Sequence, residues 1–164
     1  MGQQYDIWEN LMRLRPEFYK AFGETAIMLG ISGIVSIIIG GLLGVWLYTT
    51  GKNQIFANRR VNHILGFTID FIRAFPFVIL MIVMMKPTRM IMGTTFGPVA
   101  ASISLSVAAM FYFARLVEQN LAEVPKGVVE AALAMGAKPM TIITKVLLNE
   151  ARAGLVRSIA ILII

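Results

Sequence analysis

The segment Val129–Leu148 reads VEAALAMGAKPMTIITKVLL. The structure predicted for this segment indicates what kind of protein the whole chain is. Pro125 lies where a helix can begin without needing its N–H, and Gly136 can end that helix in a left-handed turn. Pro139 can begin a second helix, on which apolar residues recur at helical spacing over Met140–Leu147. Neither helix is long or apolar enough to cross a bilayer. The segment is therefore predicted to be a helix-turn-helix at a membrane surface.

The composition of the chain indicates a membrane context. Hydrophobic residues make up 57% of the 164 residues, and the mean hydropathy of +0.75 exceeds that of soluble domains. The net charge of +6 would also suit a nucleic-acid-binding protein, but the basic residues lie mostly in polar loops between apolar segments. We therefore expect an all-α, polytopic transmembrane helical bundle that binds no nucleic acid.

Three apolar segments before the helix-turn-helix are long enough to cross the hydrocarbon core of a bilayer. The predicted organisation comprises a leader over 1–24, spans over about 26–50, 64–85 and 95–113, a loop over about 125–149 and a partial span over 151–164. The leader is either an interfacial helix or a short packed segment. The partial span would cover only about 21 Å at the helical rise. We therefore expect the C-terminal helices of the bundle to be missing.

A stripe of small residues runs along the first span. Its members recur at every fourth position: Ser32, Ser36, Gly40 and Gly44. Small residues at this spacing allow the backbone of another helix to approach closely. Packing is the simpler interpretation of the stripe, and a place for Ser32 or Ser36 on a substrate path is the alternative.

The second span contains two charged residues and a proline. Asp70 and Arg73 lie three residues apart, where side chains of one helix can pair. Pro76 removes a helical hydrogen bond, so we expect a kink, with Arg73 close to the freed carbonyl of Ile72. Charged residues within a membrane often mark a transport path, and a structural ion pair that holds a bent helix explains the same pattern. Both interpretations stay open at this stage.

The third span is rich in alanine and serine, so we expect it to lie inside the bundle, enclosed by other helices. Thr94 or Thr95 is expected to cap its N-terminal end. Arg115 and Glu118 are expected to mark its polar exit from the membrane.

The distribution of basic residues predicts the orientation of the chain. With the helix-turn-helix in the cytoplasm, nine of the 15 Lys and Arg residues lie in the inner segments 51–63 and 114–157, and five lie outside. Cytoplasmic loops of membrane proteins carry an excess of these residues. The bias predicts an external N-terminus.

Within the helix-turn-helix, Glu130, Ala131 and Ala132 are followed, after three further residues, by Gly136. This pattern resembles the EAA loop of the permease subunits of bacterial ABC importers. In that family the loop forms coupling helices that insert into a groove on an ATPase subunit. The resemblance implies that these four residues couple the chain to an ATPase. Residues 125–149 are called the EAA loop below.

Further matches extend the resemblance over about 23–158. They are Gly23–Thr25, Asp70–Phe77, Met92–Thr94 and Ala114–Glu118. Together with the EAA loop they resemble the permeases of methionine importers, which are membrane subunits of small type I ABC uptake systems. The resemblance implies a multi-pass protein of the bacterial inner membrane, with five spans and a second copy of itself as partner. It also implies two copies of a cytoplasmic ATPase, which bind ATP and Mg, and an external substrate-binding lipoprotein.

The sequence predicts no catalytic residues, cofactor or metal site in the chain itself. It contains no cysteine, a single histidine at His63 and no GxxxxGK[ST] phosphate-binding loop. ATP hydrolysis is therefore expected in a partner. Two alternative functions stay open. One is a permease for another amino acid or small solute, and the other is a non-transport scaffold or assembly protein, which would need no ATPase.

Overall fold

The computed structural model describes the backbone of residues 7–163 and the side chains of residues 14–163, and every regular element in that range is helical. The elements in chain order are α1 (Ile7–Val35), the π-helical turn π1 (Ser36–Gly40), α2 (Gly41–Thr49), α3 (Arg59–Ala74), α4 (Phe77–Met92), α5 (Pro98–Ala122), α6 (Lys126–Ala134), α7 (Pro139–Thr141), the π-helical turn π2 (Ile142–Leu147), α8 (Leu148–Glu150) and α9 (Arg152–Ile163). The all-α prediction is confirmed for these residues.

The first span is part of a long helix formed by α1, π1 and α2. Its stretch Leu14–Thr49 has a mean hydropathy of 2.4 and is long enough to cross a membrane. The helix continues through Pro16, although a proline inside a helix removes one backbone hydrogen bond. Of the predicted leader, residues 1–6 lie outside the described residues, and the rest is continuous with α1.

The second span is broken, whereas a kinked but continuous helix was predicted. The axes of α3 and α4 differ by 108°. Phe75, the residue before Pro76, has an extended backbone with ψ of 133°, because the proline ring excludes the helical region for the residue that precedes it. Phe75 N–H donates to the carbonyl of Ile72 at 3.3 Å, so that carbonyl does not depend on Arg73 for a partner.

The segment 86–93, which lies between the predicted second and third spans, is mostly helical. Helix α4 continues through Pro87 and ends at Met92, and the next residue, Gly93, has a φ of 75° and donates its N–H to Arg89 O.

Helix α5 is longer than predicted. It begins at Pro98 after Gly97 and has no side-chain cap. The hydroxyl of Thr94 accepts a hydrogen bond from Phe96 N–H instead. Arg115 and Glu118, expected at the exit from the membrane, lie within the helix, because backbone hydrogen bonding does not depend on side-chain polarity.

Helix α5 is also the centre of the bundle, as the sequence suggested. It packs against α1, π1, α2, α3, α4 and α9. Its alternating buried residues Ser102, Ser104 and Ser106 are small enough to allow close contact. The hydroxyls of Ser102 and Ser106 donate to carbonyls one turn earlier in the same helix, at 2.7 and 2.6 Å. Their polar groups are thereby satisfied without water.

The small-residue stripe lies against α5. Ser32 and Ser36 are 4% and 0% exposed, and Ser36 Oγ donates to Ser106 O at 3.4 Å. Gly40 approaches the backbone of Met110, and Gly44 approaches Ala114 O and the side chain of Val117. A methyl group at either glycine would overlap the backbone of α5, so the two helices are as close as their backbones permit.

A hydrophobic core lies where α2, α5, the EAA loop and α9 meet. Its buried members are Tyr48, Phe113, Val117, Leu121, Val124, Ala132, Ile142, Ile143, Leu147 and Ala151. The EAA loop therefore packs on the membrane helices through its own apolar side chains.

We expect Gly44→Ala to destabilise the protein by about 1–3 kcal/mol, because its methyl group would lie 2.7 Å from Val117 Cβ and would also overlap Ala114 O. Gly41→Ala is the matched control, since its methyl group would have Phe113 Cε1 as its nearest neighbour at an ordinary 3.8 Å. The measurement is the thermal unfolding midpoint of the purified protein in one detergent. Equal midpoints for the two variants would contradict the close packing of α2 on α5.

Candidate functional site

The EAA loop contains two helices joined by a tight turn at Gly136. Helix α6 follows Pro125, which has no N–H to satisfy. At its other end Gly136 N–H donates to Leu133 O and Ala137 N–H donates to Ala132 O, with Gly136 at a φ of 76°. These two bonds form a Schellman motif. A Cβ at Gly136 would meet no atom within 4 Å, so the turn requires glycine for its backbone conformation and not for space.

The four EAA residues differ in their exposure. Glu130, Ala131 and Gly136 are exposed, whereas Ala132 is buried in the hydrophobic core. Ala132 therefore holds α6 against the helices beneath it. Glu130 and Ala131 face away from the bundle.

Large apolar side chains project from the same loop. Leu133, Met135 and Met140 are 52%, 81% and 68% exposed. Met140 belongs to the apolar spacing noted in the sequence over Met140–Leu147, but the residues that the structure buries in this loop are Ala132, Ile142, Ile143 and Leu147. The loop thus has two apolar faces, one against the bundle and one exposed. We call Leu133, Met135 and Met140 the exposed apolar patch.

A charge cluster links α3 to α5. Asp70 Oδ1 lies 3.7 Å from Arg73 Nη1, which brings together the pair noted in the sequence. The shorter contact joins Asp70 Oδ2 to Arg115 Nη2 at 2.9 Å, and Arg115 Nη1 lies 3.5 Å from Glu118 Oε2. Sequence reasoning missed Arg115 as a partner, because it lies 45 positions from Asp70 and was interpreted as a membrane exit.

An open cleft of about 400 Å³ lies beside this cluster. The cleft lies between α3, α4, α5 and α9, directly at the break that Pro76 produces. Arg73 and Tyr112 supply polar groups to its wall, and the remainder of the lining is aliphatic or aromatic. The guanidinium carbon of Arg73 lies 5.4 Å from the centre of the Tyr112 ring, a distance at which the cation is attracted to the ring face.

A second polar contact joins α9 to α5. It, too, was not predicted from the sequence. Asn120 Nδ2 donates to Ser158 Oγ at 2.7 Å and to Leu116 O at 2.6 Å. Gly154 faces the side chain of Asn120. The signal in the sequence was the spacing of Gly154 and Ser158, four residues apart on one helical face.

Among the side chains that the structure describes, those of residues 14–163, no group of three or more His, Cys, Asp or Glu could hold a metal ion. The charge cluster contains two carboxylates and two guanidiniums, so its own charges balance. The arrangement is suited either to holding α3 against α5 or to binding a ligand.

Comparison with known proteins identifies the family. The family model described as "Binding-protein-dependent transport system inner membrane component" matches residues 36–164. The chain belongs to this family. As one of its inner membrane components, the chain is a multi-pass membrane protein, in agreement with the localisation that the sequence predicted.

Curated relatives of this transport component carry a more specific name. Over 141 residues the chain is 46% identical to the D-methionine transport system permease protein MetI of Yersinia pestis, covering 86% of this chain and 65% of that protein. The MetI protein of Escherichia coli K12 is 43% identical with the same coverage. The chain thus spans 65% of the length of these two relatives.

Solved structures show the same fold for this transport component. One crystal form of the inward-facing MetNI methionine ABC transporter matches with a TM-score of 0.88 and 41% identity, covering 94% of this chain and 70% of that chain. A second form matches with a TM-score of 0.83 and 43% identity, covering 85% and 65%. The chain therefore has the type I ABC importer permease fold that the resemblance implied.

We expect Asp70→Asn to lower the stability of this transport component more than Glu118→Gln does. Asp70 contacts both Arg115 and Arg73, whereas Glu118 contacts Arg115 alone and at a greater distance. Because the Asp70 side chain is 49% exposed, we expect a loss of about 1 kcal/mol for Asp70→Asn, the upper end of the range for exposed ion pairs. The thermal unfolding midpoints of the two variants provide the comparison. A larger loss for Glu118→Gln would contradict the central place of Asp70 in the cluster.

Proposed function

We propose that the chain is the membrane-spanning permease subunit of an ATP-driven importer, with methionine as its substrate. Two copies of a separate cytoplasmic ATPase bind ATP and Mg and hydrolyse ATP, so the chain itself is no enzyme and carries no cofactor. A second copy of the permease completes the translocation pathway, and an external substrate-binding lipoprotein delivers the substrate. The names of the curated relatives and of the matching transporter support this choice of substrate and of an ATPase partner.

The observation that carries the proposal is the pair of apolar faces on the EAA loop. One face belongs to the hydrophobic core with Val117 and Leu121 of α5. The other is the exposed apolar patch, whose three large side chains lie on α6, on α7 and in the turn between them and offer an apolar surface to a partner. A loop that is bound to the membrane helices on one side and offers an apolar surface on the other is suited to transmit movement from a partner.

Each EAA residue has a distinct part in this coupling. Ala131 is small and exposed, so it lets the ATPase surface approach α6 closely, and Glu130 presents a carboxylate beside it. Ala132 is buried and ties α6 to the hydrophobic core. Gly136 maintains the turn between the two helices. Loss of the turn would misalign both helices, whereas loss of Glu130 would remove only one surface contact.

The mechanism that follows is alternating access. Closure of the ATPase pair on ATP moves the EAA loop, and the shared core carries that movement to α5 and α9. Rocking of the helices then turns the pathway outward, where the binding protein delivers substrate, and hydrolysis resets the assembly. In this mechanism the small-residue stripe is a packing surface, since the hydroxyl of Ser32 is already bonded to Met28 O at 2.6 Å.

The test is to purify the native protein in mild detergent, identify the proteins that co-purify, and reconstitute the complex with its binding protein in vesicles. Uptake of L- and D-methionine is measured with and without internal ATP, and other amino acids are added as competitors. We expect a co-purifying ATPase and ATP-dependent methionine uptake. Uptake of another solute alone would indicate a different substrate, and the absence of an ATPase would favour a scaffold.

A substitution at Gly136 tests the coupling role of the EAA loop. Gly136→Val should reduce ATP-dependent uptake about tenfold, because a left-handed backbone costs a residue with a side chain about 1–2 kcal/mol and costs β-branched valine the most. Gly136→Asn is the matched control, since asparagine tolerates the left-handed conformation and nothing within 4 Å obstructs its Cβ. Uptake and ATPase co-purification are measured for both variants at equal membrane levels. Wild-type uptake by Gly136→Val would contradict the coupling role.

A further inference from the structure

The cleft at the α3–α4 break contains a guanidinium whose hydrogen-bonding capacity is largely unused. Asp70 directs its Oδ2 to Arg115 at 2.9 Å, which leaves Arg73 with only the longer contact of 3.7 Å to Oδ1. The side chain of Arg73 donates no hydrogen bond to any of the described residues. A guanidinium has five N–H donors, and unpaired donors in apolar surroundings are costly. The guanidinium of Arg73 therefore has N–H donors available for an additional acceptor.

Arg73 lies in the wall of the cleft, so an acceptor for its free N–H donors would bind in the cleft. Its side chain is 31% exposed and lines the cleft together with Tyr112. The Tyr112 ring lies beside the guanidinium and restricts its orientation. A guanidinium fixed in this way can offer two parallel N–H groups, which is the geometry that a carboxylate accepts.

The remaining walls of the cleft are apolar. Phe75 and Phe77 line it at the helix break, Leu105 lines it on α5, and Ile161 lines it on α9. Its volume of about 400 Å³ lies within the usual range for sites that bind small molecules. One cationic group and one phenol in an otherwise apolar cavity suit a ligand with a carboxylate for Arg73, a donor group for the phenol oxygen of Tyr112 and an apolar side chain for the remaining walls.

The walls of the cleft are also connected to the EAA loop. Helix α9 follows the loop directly after Ala151, and α3 is attached to α5, which shares the hydrophobic core with the loop. A displacement of the EAA loop would therefore reach the cleft through α9 and α5.

We infer that this cleft is a substrate subsite in which Arg73 binds the carboxylate of a small α-amino acid with an apolar side chain. The inference rests on the proposed function and adds to it a location and a recognition group inside the membrane. Tyr112 is a positioning residue that orients the guanidinium. A lipid phosphate carries the same anionic chemistry, so the test distinguishes a substrate carboxylate from a lipid headgroup.

The test measures equilibrium binding of radiolabelled methionine to the permease–ATPase complex in phosphatidylcholine nanodiscs, without the binding protein. Binding to the isolated ATPase is subtracted, and methionine methyl ester, which lacks the carboxylate charge, is the competitor. The variants are Arg73→Gln, Arg73→Lys and the control Glu118→Gln, which alters the far end of the charge cluster and does not line the cleft. A parallel set of nanodiscs contains phosphatidylglycerol as a source of lipid phosphate.

We expect the wild-type complex to bind methionine saturably and to prefer it over the methyl ester by about tenfold or more, the usual effect of a hydrogen bond between charged groups. Arg73→Gln should weaken methionine binding by a similar factor and remove the preference over the ester. Arg73→Lys should retain part of both, and Glu118→Gln should bind as the wild type does. A purely structural role for Arg73 would not produce a preference for the carboxylate in the wild type.

Three results would overturn the inference. They are the absence of saturable methionine binding to the wild type, equal affinity for methionine and its methyl ester, and wild-type binding by Arg73→Gln. Methionine binding that is abolished by phosphatidylglycerol would identify the cleft as a lipid headgroup site and would also overturn it. If wild-type vesicles still show ATP-dependent uptake, such a result leaves the importer function intact. Failure of uptake itself would overturn the proposed function, and the subsite with it.

Discussion

The structure depends on the close approach of the first long helix to α5. Within a membrane, lipid tails are as apolar as the side chains they surround, so helices associate through close packing and not through exclusion of water. Gly40 and Gly44 allow backbone-to-backbone contact with Met110 and Ala114, and Ser36 adds a hydrogen bond to Ser106 O. With α5 held in this way, its other faces are available to α3, α4 and α9.

Helix α5 serves different purposes along its length. Its first half carries small side chains, many of them serine, and packs closely against the neighbouring helices. Its middle carries Tyr112 and Arg115, which contact the charged residues of α3. Its last turns contribute Val117 and Leu121 to the core under the EAA loop. The proposed ATPase contact and the proposed ligand cleft are thus joined by a single rigid helix, which removes the need for a chain of side-chain rearrangements between them.

The features that could be predicted from the sequence are those that depend on local chemistry. Long uncharged segments indicate helices in a bilayer, and the positions of Pro125, Gly136 and Pro139 indicate two helices with a tight turn. Contacts between distant segments could not be predicted, because no local pattern records how two helices are aligned. Arg115 was therefore missed as the partner of Asp70. The bend of 108° at Pro76 was underestimated for a related reason, since one extended residue sets a new direction that only tertiary packing then holds.

The π-helical turn at Ser36–Gly40 resolves a geometric conflict in the small-residue stripe. Residues four apart on an α-helix drift by about 40° per step, so a stripe with this repeat should wind around the helix and lose its partner. A π turn has wider i→i+5 bonds and rotates less per residue, which reverses part of that drift at the centre of the stripe. Ser32 and Gly44 consequently remain on the face that is buried against α5. The mismatch between a four-residue repeat and the α-helix is absorbed by this one local unwinding, and the two helices need not coil around each other to stay in contact.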